Sequence, residues 1–296
     1  MGYDVIILGG SYAGLSAGLP LARARRRVLV IDAGVRRNRF AEASHGFLTQ
    51  DGVPPDEIAA NGRAQLMDYE TVDWVHAEVV QVRRDEQGFH LLDQRGKQYS
   101  ARLLILASGV VDELPKISGL AERWGTQVFH CPYCHGYELQ QGRIGVIATS
   151  PLSMHHALML PDWGTTTLLL NDAFVPSADE LAQLEARGTA LERTPIARLK
   201  DGAAVTVELV DGRELHFAGL FVAPRTHISE LVGQLACELE EGPLGSFIKT
   251  DAMQATSIPG VFACGDVARA AGSVPLAVGD GAMAGVAAHR ALMFGG

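Results

Sequence analysis

The chain has 296 residues, 47% of them hydrophobic, and carries 25 Lys and Arg against 34 Asp and Glu, a net charge of −9. This length can bury a large core and predicts about two domains, while the negative charge argues against sequence-independent nucleic-acid binding. A first strand beginning at residue 3 leaves no room for an export signal, and no apolar run reaches the roughly 20 residues of a membrane span. We therefore expect a soluble, cytoplasmic protein that binds neither nucleic acid nor membranes.

The first 32 residues are typical of a strand, a glycine turn, a helix and a second strand. Apolar runs predict strands over 3–8 and 27–31, and small residues predict a helix over 15–24. The turn reads Gly9-Gly10-Ser11-Tyr12-Ala13-Gly14, where Gly9 permits the tight turn, Gly14 lets the helix lie close to the sheet, and Ser11 replaces the usual middle glycine. Asp32 follows the second strand and is placed to accept a hydrogen bond from a ribose hydroxyl. The order predicts a dinucleotide site with its pyrophosphate at the helix N-terminus.

A basic cluster surrounds the end of that helix and the segment after the second strand. A helix C-terminus and a solvated face account for most of these charges. For Arg39, contact with a cofactor phosphate is the alternative interpretation. The cluster comprises Arg23, Arg25, Arg26, Arg27, Arg36, Arg37 and Arg39.

The rest of the chain repeats the same plan. Residues 72–106 alternate as a strand meander, run into an apolar strand that ends at Ala107-Ser108-Gly109, and are followed by a crossing near 112–115. A second set of signals predicts a strand over 143–148, a helix over 153–160, a strand over 165–170, a meander over 189–217 and a strand over 220–224. A return crossing at 242–245, a strand ending at Gly265-Asp266 and a helix over 279–293 complete the chain.

These signals predict an α/β fold of two Rossmann-like dinucleotide-binding domains, each a three-layer ββα arrangement, with the second inserted into the first. The discontinuous first domain would span 1–114 and 245–296, and the inserted domain 115–244.

A cysteine pair in the middle of the chain carries the chemistry. Cys131-Pro-Tyr-Cys134 spaces two thiols so that they can open and close a disulfide that carries two electrons. The following His135 also completes a pattern for covalent haem attachment, but that chemistry belongs to exported proteins. Zinc would need two more ligands, and the remaining cysteines, Cys237 and Cys264, stand alone. Glutaredoxins share the tetrad, yet carry it near the start of a small domain. We therefore predict a redox dithiol in a flavin enzyme, with no metal site.

With the turn at Gly9, the strand end at Gly109, the mid-chain dithiol and Gly265-Asp266 in this order, the sequence resembles the low-molecular-weight thioredoxin reductases over nearly its whole length. The resemblance implies bound FAD and a homodimer. It also implies that Cys134 lies against the flavin ring while Cys131 exchanges with the substrate, and that His135 stands where an aspartate normally acts as the acid. The FAD contacts it implies are Gly9, Ser11, Tyr12, Ala13, Gly14, Asp32, Arg39, His45, Val79, Ala107, Gly109, Gly265 and Asp266.

The inserted domain departs from that family at its nucleotide loop. The family places a Gly-x-Gly-x-x-Ala loop for NADPH where this chain has Ala148-Thr149-Ser150-Pro151-Leu152-Ser153, and Asp172 stands where arginines should meet the 2′-phosphate. Side chains at the glycine positions obstruct a pyrophosphate, and Pro151 removes a backbone donor. NADPH use is therefore in doubt.

This combination is similar to the branch of dithiol oxidases that close disulfides in sulfur-rich natural products. In that interpretation a small dithiol reduces Cys131–Cys134, and the electrons pass through FAD to O2. The alternatives are a reductase of a thioredoxin-like protein that uses NADPH or ferredoxin, and a non-catalytic flavin sensor.

Other candidate residues have less definite roles. His135 could act as the acid-base group of the dithiol, or be a structural residue bonded to backbone. His45 could contact the cofactor or only shape a loop. His155 and His156 are expected to be packing or surface residues, Cys264 a buried inert residue, and Cys237 has no assigned role.

Overall fold

The computed structural model describes residues 2–200, 202 and 204–295. Its α-helices are α1 (Tyr12–Arg23), α2 (Pro55–Met67), α3 (Pro132–His135), α4 (Ser153–Met159), α5 (Ala178–Ala186), α6 (Glu230–Leu235) and α7 (Val274–Phe294). The strands of the first half are β1 (Tyr3–Leu8), β2 (Val28–Asp32), β3 (Val72–His76), β4 (Val79–Asp85), β5 (Gly88–Asp93), β6 (Gln98–Leu106) and β7 (Val111–Glu113).

The remaining strands are β8 (Val128–Phe129), β9 (Gln141–Ile147), β10 (Gly164–Leu169), β11 (Ala190–Glu192), β12 (Ile196–Lys200), β13 (Val205–Leu209), β14 (Glu214–Phe217), β15 (Gly219–Val222), β16 (Arg225–His227), β17 (Leu239–Glu241), β18 (Ser246–Ile248) and β19 (Val261–Ala263). Within the described residues no helix combines the length and apolar character needed to span a bilayer.

The chain forms two compact units. The first contains residues 1–39, 54–111 and 226–296, and the second contains 40–53 and 112–225. An α/β fold of two Rossmann-like domains is therefore confirmed. The boundaries differ from the predicted ones, because the chain returns to the first unit at Thr226 instead of at 245. The reason is α6, whose Val232 and Leu235 are buried in the core of the first unit, while Gln234 accepts a hydrogen bond from the Val82 amide at 2.8 Å.

The first unit is built on a sheet in the order β3-β2-β1-β6-β5-β4. Strands β1, β2 and β3 run parallel, and the C-terminal half of β6 pairs in parallel with both β1 and β19. The N-terminal half of β6 continues instead into the antiparallel meander with β5 and β4. Helices α1 and α7 pack closely on each other, because a Cβ on Gly281 would lie only 2.1 Å from the carbonyl oxygen of Ala13. Long strand β6 thus joins the parallel sheet to the meander.

The second unit repeats this arrangement around a parallel sheet in the order β11-β10-β9-β15-β8. The antiparallel meander β12-β13-β14 packs with one face of that sheet through a core that includes Val207 and Phe217. On the other face α4 and α5 contribute Ala157 and Leu184 to a second core with Val146. Both faces of β9 are therefore buried from Ile144 to Ile147, as the apolar sequence of that part predicts.

Two helices begin earlier than the sequence suggested. Helix α1 starts at Tyr12 because Tyr12, Ala13 and Gly14 already have helical geometry within the glycine turn. Helix α7 starts at Val274, where the Ser273 side chain accepts a hydrogen bond from the Leu276 amide. A serine N-cap followed by a proline in the first turn is a helix start signal. The predicted start at 279 was based on glycine and alanine content and did not use this signal.

Candidate functional site

The register of the first sheet brings several strand ends to one edge. Leu8 is paired with Leu106, which is paired with Ala263. The hydrogen bonds continue past the strands, because the Ala107 amide donates to the carbonyl of Leu8 at 2.8 Å and the Cys264 amide donates to that of Leu106 at 2.9 Å. The segments that follow these three strands therefore meet at the carboxyl edge of the sheet, where ligands of open α/β sheets bind.

The glycine turn at this edge is packed too closely for side chains. Gly9 has φ +103°, and a Cβ there would lie 2.2 Å from the carbonyl oxygen of Ala107. A Cβ on Gly14 would lie 1.9 Å from the carbonyl oxygen of Gly9, so α1 rests directly on the turn. Ser11 is the N-cap of α1 but its side chain makes no capping hydrogen bond. The first-turn amides of Tyr12, Ala13 and Gly14 thus have no intrahelical acceptor and suit an anion.

Asp32 lies at the end of β2 beside this turn. Its Oδ1 accepts a hydrogen bond from the Gly10 amide at 3.0 Å, which fixes the carboxylate next to the start of α1. Gly10 is also closely packed, because a Cβ there would lie 2.2 Å from the Trp74 ring and 2.8 Å from Asp32 Cβ, so both side chains would have to shift. In dinucleotide-binding folds, an acid at this position of the sheet edge accepts a hydrogen bond from a ribose hydroxyl, and Asp32 occupies that position.

The basic segment after β2 reaches the site through Arg37 and Asn38. Arg37 Nη1 lies 2.8 Å from Asp266 Oδ2, and Asn38 Nδ2 donates to the Tyr12 hydroxyl at 3.1 Å. Arg39, the residue that the sequence favoured for phosphate contact, is exposed and donates to the Arg36 carbonyl at 2.8 Å. Sequence reasoning missed Arg37, since nothing in the arginine cluster distinguishes one member from the next.

The other predicted contacts are spread along the first unit. Gly265 has φ +74° and begins a short 3-10 segment that carries Asp266, and Gly109 has φ +65° with open space where a side chain would project. Val79 begins β4 and is buried in the core of the unit. His45 belongs to the second unit and is described with the cysteines below.

The redox pair lies at the start of a short helix in the second unit. Cys131 is the N-cap of α3, and the structure joins it to Cys134 in a disulfide with a Cα–Cα distance of 5.3 Å. Pro132 occupies the first helical turn, where its missing amide costs nothing. Both cysteines are half-buried, and the neighbouring Tyr133 is exposed. The pair is therefore only partly shielded from solvent at α3.

His135 closes α3 and lies against an aromatic ring. It stacks on Phe129 with a centroid distance of 4.3 Å and an interplanar angle of 15°. Burial lowers the pKa of His135 below its ordinary value, the nearby Glu138 carboxylate opposes that shift, and His45 adds to it. The Cys131 backbone lies beside the ring, yet neither ring nitrogen reaches hydrogen-bond geometry within the described part of the chain. A neutral imidazole next in the chain to Cys134, with ring nitrogens not engaged by described side chains, is a group that can accept a thiol proton.

A loop at 40–53 belongs to the second unit and brings His45 to Glu138, in the short 3-10 segment that follows α3. His45 Nε2 lies 3.3 Å from Glu138 Oε1, and its Nδ1 lies 3.6 Å from Asp51 Oδ1. The cofactor contact of His45 stays a prediction, and no sequence pattern assigned a role to Glu138. The sequence signal that could have indicated Glu138 is its spacing, because it lies three residues beyond His135.

In the loop between β9 and α4, serine hydroxyls accept hydrogen bonds from backbone amides of the same loop. The Thr149 amide donates to Ser153 Oγ at 3.0 Å, and the Leu152 amide donates to Ser150 Oγ at 3.3 Å. Ser153 is fully buried. After β10 the side chain of Asn171 accepts from the Ile196 amide at 2.8 Å, and the next residue is the acidic Asp172.

Burial sets the protonation state of the two remaining cysteines and of His156 in α4, which lies beside the backbone of His130, one residue before Cys131. Cys264 and Cys237 are buried, and burial raises the pKa of both thiols, with the Asp280 carboxylate adding to the shift at Cys264. His156 is buried, and desolvation lowers its pKa to about 4, with His155 adding to the effect. These environments favour the neutral forms and suit packing residues.

A sheet edge suited to binding a dinucleotide in one unit and a redox disulfide in the other define a flavin-dependent disulfide oxidoreductase. The chain belongs to the pyridine nucleotide-disulphide oxidoreductase family, which it matches over residues 3–281. It is a FAD-dependent, thioredoxin reductase-like enzyme with a disulfide at Cys131–Cys134.

Three known proteins show how close this similarity is. The chain is 34% identical to the thioredoxin reductase tcpT of Claviceps purpurea, over 98% of this chain and 94% of that protein. The crystal structure of an oxidoreductase from Agrobacterium tumefaciens is 56% identical, covers 100% of both chains and superposes with a TM-score of 0.97. The crystal structure of HlmI is 35% identical, with a TM-score of 0.92 over 99% of this chain and 93% of that one.

Proposed function

We propose that this chain is a dithiol oxidase that closes a disulfide in a small dithiol, passes the electrons to O2 and does not use NADPH. The observation that carries the proposal is the loop between β9 and α4. Its Thr149 and Leu152 amides are engaged by Ser153 and Ser150, and Pro151 has no amide. A pyrophosphate would have to displace those internal hydrogen bonds and find room beside side chains where glycines are required.

We assign the FAD site to the carboxyl edge of the first sheet. The free first-turn amides of α1 would hold the pyrophosphate, Asp32 the adenosine ribose, and Gly265-Asp266 the ribityl and phosphate region. Close packing at Gly9 and Gly14 supports the fit, because it holds the start of α1 directly against the turn without an intervening side chain. Contacts from Arg39, His45, Val79, Ala107 and Gly109 remain predictions. When bound, FAD accepts two electrons from the reduced cysteine pair and transfers them to O2, which becomes hydrogen peroxide.

The cysteines perform the thiol chemistry in two balanced exchanges. A substrate thiolate attacks Cys131, forms a mixed disulfide with it and releases Cys134 as a thiolate. The second substrate thiol then loses its proton and attacks the substrate sulfur of that mixed disulfide, which closes the product and releases the Cys131 thiolate. The substrate has lost two electrons and two protons, and the protein disulfide has gained the two electrons. His135 accepts the proton of the second thiol at a ring nitrogen, and the proton of the first thiol passes to solvent when that thiol ionises.

A second candidate is a reductase of a thioredoxin-like protein, supplied with electrons by NADPH or ferredoxin. The relative in Claviceps purpurea carries the name thioredoxin reductase, and its similarity covers almost the whole chain. Under either proposal we expect a homodimer in the cytoplasm, where a reducing environment leaves a thiol pair free for catalysis.

The oxidase proposal is tested by the stoichiometry of turnover in air. With dithiothreitol as the dithiol, the holoenzyme should consume one O2 and form one peroxide for each disulfide closed. Cys131→Ser should abolish turnover, while Cys237→Ser, which changes a buried thiol outside the redox pair, should leave it unchanged. Oxygen uptake that is equal in wild type and Cys131→Ser would show that the disulfide is not involved. No uptake with any dithiol, together with turnover on a thioredoxin-like protein, would favour the reductase.

A further inference from the structure

Hydrogen bonds do not fix the orientation of the His135 ring. Neither Nδ1 nor Nε2 has a hydrogen-bond partner among the described residues. The outer side-chain torsion of a histidine has broad minima, so such a ring turns easily unless its neighbours prevent it. The orientation of His135 therefore depends on the groups that pack against its faces.

One face of His135 is covered by the ring of Phe129. The two centroids are 4.3 Å apart and the ring planes are inclined by 15°. Phe129 is the last residue of β8, and only 7% of its surface is exposed. Cys131 follows two residues later. The segment that leads into the redox pair thus also supplies the flat surface against which the imidazole lies.

The Phe129 ring is held in turn by the core of the second unit. In the register of the sheet Phe129 is paired with Phe221, whose ring is tilted by 48° at a centroid distance of 5.8 Å. Gly219, in the same strand as Phe221, leaves room for its neighbours, because a Cβ there would lie 2.8 Å from Leu139 Cδ2 and 3.3 Å from Phe129 Cε2. Close packing of this kind makes the Phe129 ring a fixed surface.

We propose that Phe129 is a positioning residue of the redox centre, which holds the His135 ring in the orientation from which it accepts a proton. This inference rests on the proposed role of His135 as the proton acceptor. Leucine at position 129 would keep the core apolar but remove the flat face, so the imidazole would spread over other orientations. An aromatic pair favours one arrangement by a factor of about two to ten, and a step that needs this arrangement slows as its population falls.

Proton NMR of the histidine rings in the oxidised holoenzyme measures the stack directly, at about pH 8 where these rings are mostly neutral. The signals of His135 are identified by their loss in His135→Ala. Because an aromatic ring shields protons that lie over its face, at least one carbon-bound ring proton of His135 should resonate upfield of those of the exposed His155. Phe129→Leu should move that signal downfield. Phe221→Leu, the same substitution at the neighbouring buried ring, should leave it in place.

The rate of the first thiol exchange cycle shows whether the stack acts through His135. Oxidised holoenzyme is mixed anaerobically with dithiothreitol, quenched with acid at short times and assayed for oxidised dithiothreitol. At equal FAD content, Phe129→Leu should lower the rate about two- to tenfold when His135 is present and leave it unchanged in the His135→Ala background. The effect of Phe221→Leu should be the same in both backgrounds.

Three results would overturn the inference. The first is an upfield signal missing from wild type, which needs no variant of Phe129. The second is a rate that Phe129→Leu leaves unchanged, or lowers equally with and without His135, since Phe129 would then not act through the imidazole. The third is an effect of Phe221→Leu that depends on His135 as strongly, which would indicate general loosening of the core. If Phe129→Leu does not fold, Phe129→Met also removes the flat face and is measured in its place.

Failure of the proposed function looks different. In that case wild type forms no oxidised dithiothreitol, or His135→Ala forms it as fast as wild type does, while the NMR signals still show whether Phe129 holds the ring.

Discussion

Replacing Gly14 by alanine tests whether α1 really rests on the glycine turn. The added Cβ would lie 1.9 Å from the Gly9 carbonyl oxygen and 3.3 Å from Ile7 Cγ2. An ordinary carbon–oxygen contact needs about 3.3 Å, so the helix must move by about 1.4 Å or the turn must open. Overpacking of this kind costs up to about 3 kcal/mol when the obstacle is backbone. Alanine regains about 1 kcal/mol of helix propensity, which leaves a net loss of about 2 kcal/mol.

The matched control is Gly279→Ala in α7. Gly279 is also inside a helix, but a Cβ there meets no described atom within 4 Å. The free energy of unfolding of the Gly279→Ala variant should therefore exceed that of wild type by up to about 1 kcal/mol.

Thermal unfolding followed by circular dichroism, with FAD content per chain, measures both effects. We expect Gly14→Ala to lower Tm by about 4 to 8 °C and to reduce FAD content, since the first-turn amides move with the helix. Equal or higher Tm in both variants would refute the packing argument.

Three further predictions concern the titrating groups. His135→Ala should slow disulfide reduction by about 10², with unchanged FAD content, whereas an unaltered rate would make His135 structural. Desolvation lowers the pKa of His156 to about 4 from 6.5, so wild type should lose about 3 kcal/mol of stability as pH falls across that window, and His156→Gln should lose less on urea unfolding. Buried Cys264 should resist alkylation at pH 8 under conditions that label reduced Cys131 and Cys134, and rapid native labelling would contradict its burial.

The local parts of the fold were predictable because each has its own sequence signal. Continuous apolar runs indicated β1, β2 and β9, and the turn from Gly9 to Gly14 indicated where the sheet meets α1. The spacing of Cys131 and Cys134 similarly indicated the redox disulfide that the structure contains.

Contacts between residues that are far apart in the sequence could not be predicted in this way. The contact of Glu138 with His45 requires the loop at 40–53 to belong to the second unit, and no pattern near either residue specifies that. The ion pair of Arg37 with Asp266 joins residues far apart in the chain, so one arginine among seven could not be selected. The return of the chain at Thr226 likewise depends on where α6 buries its apolar side, which propensity does not determine.

Anaerobic reduction of the flavin by NADPH distinguishes a dithiol oxidase from a nucleotide-dependent reductase. Occupied amides at Thr149 and Leu152 and an acid at Asp172 remove two or three charge-assisted contacts, each typically about 1.5 to 3 kcal/mol, so affinity should fall by several powers of ten. NADPH at about 0.1 mM should then leave the flavin absorbance unchanged, while a stoichiometric small dithiol bleaches it and air restores it with release of peroxide. Fast stoichiometric bleaching by NADPH would contradict the oxidase account and assign the protein to the nucleotide-dependent reductases.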